Sequence, residues 1–440
     1  MTNPSPERSS RREFMKTSTT AALSAGLLTG YALPRAYAAG SDVIRIGLVG
    51  CGGRGSGAAH QALSTKGNVQ LVAMADAFED QLQSSLHHLK HEFSSQPERV
   101  AVEPDHQFVG FDAYEKLLGS NVDLVILATP PGFRPIHFEA AVKAGKNIFT
   151  EKPLGVDGPG VRRVLAANEH AKAKNLKVGV GLQRHHQAPY LETVDRLKSG
   201  AIGDVVALRV YWNDWGVWEP RKTRHQVKSE MEYQMRNWYY YTWLCGDHIV
   251  EQHIHNLDVA NWIKGDHPVK CWGMGGRQVL TDKRYGNIFD HHCVQYEYAD
   301  GSRAYSECRH QPGTWRSVSE HAIGTKGTAD VSNYHIKSGS DEWKYRGHQL
   351  NPYQVEHDDL FAAIRANRSY NEVENGAAST LTAIMGRMAT YSGKEVDWDK
   401  ALNSQVDLSP QHYAWDANPR SMPLADGSYQ IATPGVTKAV

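Results

Sequence analysis

The chain has no excess of charge of either sign and contains few cysteines. Its 48 basic and 48 acidic side chains give a formal net charge of zero, so no overall field attracts it to nucleic acid or to anionic lipid. The five cysteines are odd in number and widely spaced, without the Cys-x-x-Cys pair of a zinc ribbon or redox couple. Internal repeats and low-complexity linkers are also missing. We therefore expect an ordinary globular enzyme with small, neutral partners and mostly buried thiols.

The first 38 residues follow a different pattern from the rest of the chain. Arg11 and Arg12 precede a weakly apolar stretch from Thr17 to Leu33, and Ala36-Tyr37-Ala38 is a small-x-small cleavage pattern. The apolar stretch contains several Thr and Ser residues and is short for a membrane helix. The order of these features predicts a twin-arginine export signal at residues 1–38, an extracytoplasmic mature protein, and no membrane span after its removal.

Residues 41–175 are predicted to form a dinucleotide-binding domain. Val43–Val49 is typical of a buried parallel strand, and glycines in the pattern G-x-G-x-x-G follow it directly. Such a turn lets backbone N–H groups approach a pyrophosphate at the positive N-terminus of the next helix. The pattern predicts cofactor contacts from Gly50, Gly52, Gly53, Arg54 and Gly55.

A second apolar strand, Val69–Ala75, ends in Asp76. An acidic side chain at this place can accept both ribose hydroxyls and would repel a 2′-phosphate, so NAD is favoured over NADP. The alternative is a tight turn in a sheet that binds no cofactor. The succession of strand, glycines, helix, strand and acid favours the cofactor site.

Short strands and helices continue to alternate along this part of the chain, which predicts a doubly wound parallel sheet. The predicted helices and strands are 113–118, 124–129, 134–144 and 147–150. Ligands bind beyond the carboxyl ends of such strands. Two segments meet that edge, Thr129-Pro130-Pro131 and Glu151-Lys152-Pro153.

Together with other motifs, Glu151-Lys152-Pro153 makes the sequence resemble a known family. The motifs that carry the resemblance are the glycine turn, Ala128-Thr129-Pro130-Pro131, His137, Ala144-Gly145-Lys146, Glu151-Lys152-Pro153-Leu154 and Gly200-Ala201-Ile202-Gly203. Together they resemble the glucose–fructose oxidoreductase, inositol dehydrogenase and rhizopine-catabolism family (Gfo/Idh/MocA) over essentially the whole mature chain. The resemblance places Thr129, Pro130, His137, Glu151 and Lys152 at the cofactor, with Lys152 pointing at the nicotinamide and the substrate hydroxyl.

The same resemblance implies the organisation of the remaining chain. Residues 176–405 would form a substrate-binding α+β domain with an open, mainly antiparallel sheet, followed by a tail at residues 406–440. One face of that sheet would carry the substrate pocket and the other an oligomer interface, so a homo-oligomer is expected.

The chemistry of alcohol oxidation also supports a catalytic role for Lys152, independently of the resemblance. Oxidising an alcohol requires removal of its hydroxyl proton as hydride leaves, so a base or relay must lie within hydrogen-bond reach. A partly desolvated lysine near a bound cation suits this use. The alternative is a solvated surface lysine.

A second set of candidate residues lies in Gly246–Asp258. If this segment is one helix, His248, Glu251, His255 and Asp258 share an arc of roughly 80°. The family commonly has aspartate, then histidine four residues later, then aspartate three after that; here Glu251 replaces the first aspartate. We expect His255 to relay protons beside Lys152, and Glu251 to orient it or act on a leaving group. His248 and Asp258 are predicted substrate contacts.

A metal is the alternative for these side chains. Three histidines and a glutamate could hold zinc or manganese, but the spacing of His248, Glu251 and His253 differs from that of helical zinc-protease motifs. No metal is therefore predicted, and His253 is interpreted as a core histidine.

Aromatic and basic residues suggest further substrate contacts. The segment 211–243 is rich in rings that can cover the apolar face of a pyranose or simply pack a core, namely Trp212, Trp215, Trp218, Trp238, Tyr239, Tyr240, Tyr241 and Trp243. Trp212 is the predicted substrate contact among them. Arg184, His186 and Tyr190 follow the predicted strand Lys177–Gly181 and are expected near the substrate.

Three functions remain open from the sequence. The first is an NAD-dependent oxidoreductase acting on a sugar or glycoside hydroxyl with tightly bound, recycled NAD, because the space outside the cytoplasm offers no free nicotinamide pool. The second is a redox-neutral glycosidase that oxidises, eliminates, hydrates and re-reduces. The third, a non-catalytic sugar or nucleotide binder, would have no use for both Lys152 and His255.

Overall fold

The computed structural model describes residues 43–438, so the predicted export signal lies outside the described residues. The strands of the first sheet are β1 Ile44–Val49, β2 Val69–Asp76, β3 Gln107–Val109, β4 Leu124–Leu127, β5 Asn147–Thr150 and β6 Val178–Val180. All are parallel, in the order β3-β2-β1-β4-β5-β6. β1, β4 and β5 are almost wholly buried, as expected for strands covered on both faces. The predicted doubly wound parallel sheet is confirmed.

Helices cover this sheet and open a crevice at its carboxyl edge. They are α1 Gly53–Leu63, α2 Glu79–Glu92, α3 Ala113–Leu118, α4 Arg134–Lys143 and α5 Gly158–Ala173. The strand order reverses between β1 and β4, which is where open α/β sheets bind their ligands. The sheet also includes β6, beyond the predicted domain boundary at residue 175.

Within the described residues, the second sheet has nine strands. They are β7 Val205–Asp214, β8 Lys270–Gly276, β9 His291–Glu297, β10 Arg303–His310, β11 Ser317–Gly324, β12 Gly327–Asp330, β13 His335–Ser338, β14 Asp341–Lys344 and β15 Val396–Asp397. Their order is β14-β13-β12-β11-β7-β10-β9-β8-β15, and β7 pairs with β10 in parallel while the other neighbours are antiparallel. The prediction of an open, mainly antiparallel sheet is confirmed.

Eight further helices follow along the described chain. They are α6 Ala188–Lys198, α7 Glu230–Arg236, α8 Thr242–Cys245, α9 His248–Glu251, α10 Ile254–Lys264, α11 Pro352–Arg365, α12 Val373–Ser392 and α13 Trp398–Leu402. Buried α12 packs along β8 and β9. Leu360, Phe361 and Ile364 of α11 join the core of the first sheet. In residues 43–438 no helix is both long enough and apolar enough to cross a membrane.

The prediction of one continuous helix over Gly246–Asp258 is wrong. Gly246 and Asp247 have positive φ angles of 80° and 76°, α9 ends at Glu251, and α10 begins only at Ile254. The segment is buried along its whole length apart from Gln252. The break interrupts the regular 100° step between residues, so His248, Glu251, His255 and Asp258 do not share one polar arc.

The tail predicted at residues 406–440 packs on its own chain through the part that is described. The buried Tyr429 hydroxyl accepts a hydrogen bond from Arg224 at 2.6 Å and donates one to Glu230 of α7. Tyr241 also lies within hydrogen-bond distance of this hydroxyl, at 3.0 Å. The tail is therefore anchored beside the loop that follows β7.

Candidate active site

The glycine turn between β1 and α1 leaves its backbone open to a bound group. Gly50 has φ +93°, and a Cβ there would lie 2.6 Å from the backbone nitrogen of Thr129. A Cβ on Gly52 or Gly53 would instead meet none of the described atoms within 4 Å. The N-terminus of α1 carries neither a side-chain cap nor an acid in its first turn. This combination of free space and uncapped N–H groups fits a pyrophosphate.

Asp76 ends β2 and lines the cavity beside the turn. Its two carboxylate oxygens accept the backbone N–H groups of Cys51, at 2.7 Å, and Phe78, at 2.8 Å. Burial raises the pKa of this carboxyl, and the two backbone hydrogen bonds oppose the rise. Since each carboxylate oxygen can accept more than one hydrogen bond, Asp76 keeps acceptor capacity for ribose hydroxyls.

The end of β4 forms another wall of the cavity. Thr129 and Pro130 line it, and Thr129 Oγ1 lies 3.1 Å from Nδ1 of His137. Burial, reinforced by the Arg134 charge, lowers the pKa of His137 to about 3, so its ring is neutral. His137 thus holds the threonine side chain through a neutral hydrogen bond.

Arg134 is a site residue that the sequence did not indicate. It is buried, and its guanidinium donates to the carbonyl oxygens of Leu127, of Thr129 at 2.7 Å, and of Pro153. Burial lowers its pKa to about 10. Arg134 therefore fixes the ends of β4 and β5 relative to each other, although an arginine at a helix start is usually solvated.

Arg54 and Glu151 join three elements at the edge of the cavity. Arg54 Nε donates to Glu151, and Arg54 Nη2 donates to Glu356 Oε1 of α11 at 3.0 Å. Burial, with the charge of Glu151, raises the pKa of Glu356 well above its ordinary value. The single guanidinium thus holds α1 to the end of β5 and to α11, where Tyr353 packs 4.9 Å from it.

Lys152 and Glu251 form the central polar contact of the cavity. Lys152 Nζ donates to the backbone oxygen of Glu251 at 2.5 Å and to Oε1 at 3.0 Å, and each side chain is 11% exposed. Glu251 Oε2 is buried and finds no partner among the described residues. Burial raises the pKa of Glu251, and the Lys152 charge opposes this. The ammonium is thereby held at the cavity wall beside a carboxyl with one oxygen to spare.

His255 lies on the first turn of α10 and lines the same cavity. Its ring stacks on Trp212 with centroids 6.0 Å apart, and its Nδ1 has no partner among the described residues. Burial, then the charges of Lys152 and Arg184, lower its pKa well below the ordinary value. His255 is therefore neutral and can accept a proton or hydrogen bond at one nitrogen.

The glycine turn, Asp76, Lys152, Glu251 and His255 line one cavity of about 710 Å³. That volume is typical of a small-molecule site. Trp212, Trp218 and Trp238 supply aromatic faces, whereas Tyr239, Tyr241 and Trp243 are buried in a separate core cluster. Several lining residues were not predicted from the sequence, namely Gln183, Arg221, Lys222, Gln252 and Tyr353. Gln252 could have been found only by anticipating the break after α9.

Only one of the other predicted substrate residues lines the cavity. Arg184 lines the cavity and pairs with Glu320. His186, Tyr190, His248 and Asp258 are not among the cavity-lining residues. His186 lies between Asp359 and Glu372, at 2.8 and 3.0 Å.

Tyr190, Asp258 and His248 have their own buried surroundings. Tyr190 donates to Glu320, and Asp258 accepts from Ser379 at 2.8 Å. His248 stacks against His292 and His310. The helix-face metal set considered from the sequence does not form, because Glu251 pairs with Lys152 and His253 bonds to Ser306 at 2.7 Å.

Two family models match the chain. An oxidoreductase family model with an NAD-binding Rossmann fold matches residues 44–201, and the GFO/IDH/MocA C-terminal domain matches residues 190–330. Together they span well over half of the chain. The chain belongs to the GFO/IDH/MocA oxidoreductase family, which confirms the predicted enzyme class and the NAD cofactor.

Individual relatives agree with this assignment. An inositol 2-dehydrogenase of Pseudomonas fluorescens is 25% identical over 338 residues, covering 74% of this chain and 87% of the relative. The aldose–aldose oxidoreductase of Caulobacter crescentus, complexed with glycerol, shares the fold with a TM-score of 0.64 at 17% identity, over 81% of this chain and all of that one. The scyllo-inositol dehydrogenase of Lactobacillus casei with bound NAD(H) and scyllo-inositol gives 0.61 at 20% identity, over 81% of this chain and all of its own.

Proposed function

We propose that the protein is an exported NAD-dependent oxidoreductase that acts on a hydroxyl of a sugar or glycoside and retains its cofactor between turnovers. The observation that carries this proposal is the Lys152–Glu251 contact beside neutral His255, in a cavity continuous with the glycine turn. This arrangement supports proton transfer beside the glycine turn.

The chain's own residues supply the proton chemistry. NAD, when bound, accepts the hydride that leaves the alcohol carbon. Lys152 Nζ holds the substrate hydroxyl and relays its proton: Nζ gives one of its own protons to Glu251 or to solvent and takes the hydroxyl proton in its place, while Glu251 fixes the direction of the side chain. His255 provides a second neutral acceptor, and its stacking on Trp212 fixes the plane of the ring.

A sugar or cyclitol suits the walls of the cavity. Trp212, Trp218 and Trp238 provide apolar ring faces, while Gln183 and Gln252 provide amides that both donate and accept hydrogen bonds. The names of the relatives, which refer to inositols and aldoses, support the same substrate class.

Retention of the cofactor is proposed from the export signal. An exported chain with the twin-arginine pattern of Arg11 and Arg12 could bind NAD before export, and a redox-neutral cycle would keep it in use. The name aldose–aldose oxidoreductase, borne by one of the proteins of similar fold, describes hydride transfer between two sugars. To test this, the mature protein is purified without added NAD and denatured, and the released cofactor is quantified. Folded protein without NAD, together with a requirement for added NAD, would contradict retention.

A redox-neutral glycosidase is the second candidate, and the buried, unpartnered Oε2 of Glu251 favours it. Oxidation of one ring carbon acidifies the neighbouring C–H, the aglycone is eliminated, water adds, and the carbon is reduced again. These extra steps need a further acid or base, which Glu251 can provide because burial raises its pKa.

Solvent exchange separates the two candidates. In deuterium oxide, a glycosidase should incorporate deuterium at the carbon next to the oxidised one and release the aglycone. An ordinary sugar oxidoreductase would give a keto product with the aglycone still attached and no exchange. Glu251→Gln should slow aglycone release more than the initial oxidation if Glu251 assists elimination.

A homo-oligomer through the second sheet remains part of the proposal. Met274, Cys293 and Tyr305 are exposed on its strands, and Met274 pairs in register with Cys293. Light scattering on the mature protein tests this, with Met274→Glu as the interface variant. A monomeric wild type would contradict it.

A further inference from the structure

A cluster of buried polar side chains lies outside the active-site cavity. Asp247 and His248 stand at the start of α9, and His292 lies on β9. Asp247 and His248 are wholly buried and His292 is 2% exposed. One ligand atom from each of the three lies within 4.8 Å of the other two. The mechanism proposed above uses none of these side chains.

The hydrogen bonds around His292 leave one nitrogen facing an anion. Thr390 donates its hydroxyl proton to a main-chain carbonyl within its own helix, so its oxygen accepts from Nδ1 of His292 at 2.9 Å. The other nitrogen of His292, Nε2, is buried without a hydrogen-bond partner among the described residues and lies 3.4 Å from Asp247 Oδ1. A cation between these two atoms would satisfy both of them.

His248 adds a second nitrogen without a partner. Neither of its ring nitrogens has a hydrogen-bond partner among the described residues, and Nε2 lies 3.9 Å from the same Asp247 Oδ1. His357 is equally unpartnered but packs on Phe149, whereas the ring of His248 lies beside a buried carboxylate, and a cation between the two would satisfy both groups.

Asp247 supplies a buried negative charge to the same point. Its carboxylate accepts the N–H groups of His248, at 2.5 Å, and Phe289, at 2.8 Å, together with the hydroxyl of Tyr391. Buried charges in proteins are paired or coordinate metals.

We propose that Asp247 Oδ1, His248 Nε2 and His292 Nε2 bind one divalent cation of the zinc type. Nitrogen and carboxylate oxygen are zinc ligands, and ligand atoms around a tetrahedral zinc ion lie about 3.3–3.6 Å apart. The 3.4 Å between His292 Nε2 and Asp247 Oδ1 matches this separation, and the 3.9 Å from His248 Nε2 requires a small shift of that ring on binding. Tyr391 and Thr390 hold the outer atoms of Asp247 and His292, as supporting residues do around metal ligands.

The ion has a structural role. None of its three ligands lines the cavity, so it does not contact the substrate. It joins the N-terminus of α9, which carries Glu251 at its other end, to β9 of the second sheet. Metal binding therefore anchors the helix that presents Glu251 to Lys152.

Metal analysis of the intact mature protein tests this site. The protein is dialysed against Zn²⁺, desalted, and examined by elemental mass spectrometry and by thermal unfolding with and without a chelator. We expect stoichiometric zinc and a lower melting temperature after chelation, restored by Zn²⁺. His248→Gln and His292→Gln should each bind Zn²⁺ at least about tenfold more weakly, since even changes around the ligands cost this much.

His357→Gln is the matched control. His357 is also wholly buried with two unpartnered nitrogens, but its ring packs on Phe149, away from the proposed ligands. This variant should keep its zinc even if it is less stable. A folded wild type without stoichiometric zinc after loading would overturn the site and leave a protonated His292 as the partner of Asp247. Equal zinc content in the wild type and in a folded ligand variant would overturn it as well.

Discussion

Replacing Lys152 by Met separates the proton-transfer role of this residue from its part in the fold. Methionine has a similar length but cannot donate to Glu251 or exchange a proton. Loss of a proton-transfer group lowers the rate by about 10²–10⁴-fold, which corresponds to about 2.7–5.4 kcal/mol in the barrier. The glycine turn and Asp76 are untouched, so Lys152→Met should still bind NAD.

The same change leaves Glu251 without its cation. Each side chain of the pair is only 11% exposed, and removing one partner of a buried pair costs about 3–5 kcal/mol. We expect the lower end, about 3 kcal/mol, since some solvent reaches both groups. Lys152→Met/Glu251→Gln should recover part of this loss, because it removes the uncompensated carboxylate.

The pH dependence follows from the raised pKa of Glu251. An acid with a higher pKa in the folded state binds more protons when folded than when unfolded. The free energy of unfolding therefore falls as pH rises from the ordinary glutamate range through the folded-state pKa. Lys152→Met should show this fall more steeply than the wild type, because the opposing Lys152 charge is gone.

Three measurements check this reasoning. Turnover is followed with the substrate found by screening, NAD binding by calorimetry, and stability by denaturant unfolding over a pH series. Lys172→Met is the control, since Lys172 pairs with Glu169 and Glu374 at the surface, and it should behave as wild type. Near-normal turnover in Lys152→Met would remove Lys152 from the mechanism, and pH-independent stability would refute the account of the pair.

Three further substitutions test the cofactor site and the relay. Asp76→Ala should weaken NAD binding about 10- to 100-fold, because hydrogen bonds to a charged acceptor are each worth about 1.5–3 kcal/mol; unchanged affinity in calorimetry would remove Asp76 from the site. Gly50→Ala should lose NAD and stability, since its Cβ would meet the backbone nitrogen of Thr129 at 2.6 Å. Gly145→Ala is the control: Gly145 also has a positive φ but lies in open space, so this variant should keep NAD. His255→Asn should lower turnover about 10²–10⁴-fold. If the wild-type rate profile has an inflection near pH 6.5, the variant should keep it, since the pKa of His255 lies well below its ordinary value; loss of that inflection in the variant would contradict a neutral His255.

The cofactor half of the site could be predicted because its signals are local. The glycine turn lies between a strand and a helix that adjoin it in sequence, and Asp76 ends the next strand. Parallel strands bring their carboxyl ends to one edge regardless of distant contacts. Sequence order alone therefore placed Gly50, Asp76 and Thr129 around one cavity.

The substrate half depends on contacts between distant residues, which periodicity does not reveal. Lys152 and Glu251 are 99 positions apart, and His186 meets Asp359 and Glu372 at separations of 173 and 186. The position of His186 after a strand gave no indication of the direction of its ring. The two carboxylates that hold it could be recognised only in the folded chain.

The short helix α9, which ends at the break before α10, links the active site to the buried cluster. A helix as short as α9, four residues, is not stable by itself, so its orientation depends on what holds its ends. At one end the side chain of Asp247 contacts Phe289 and Tyr391, and at the other Glu251 contacts Lys152. A change at Asp247 should therefore reach the cavity by moving Glu251 relative to Lys152, without any contact between Asp247 and the substrate.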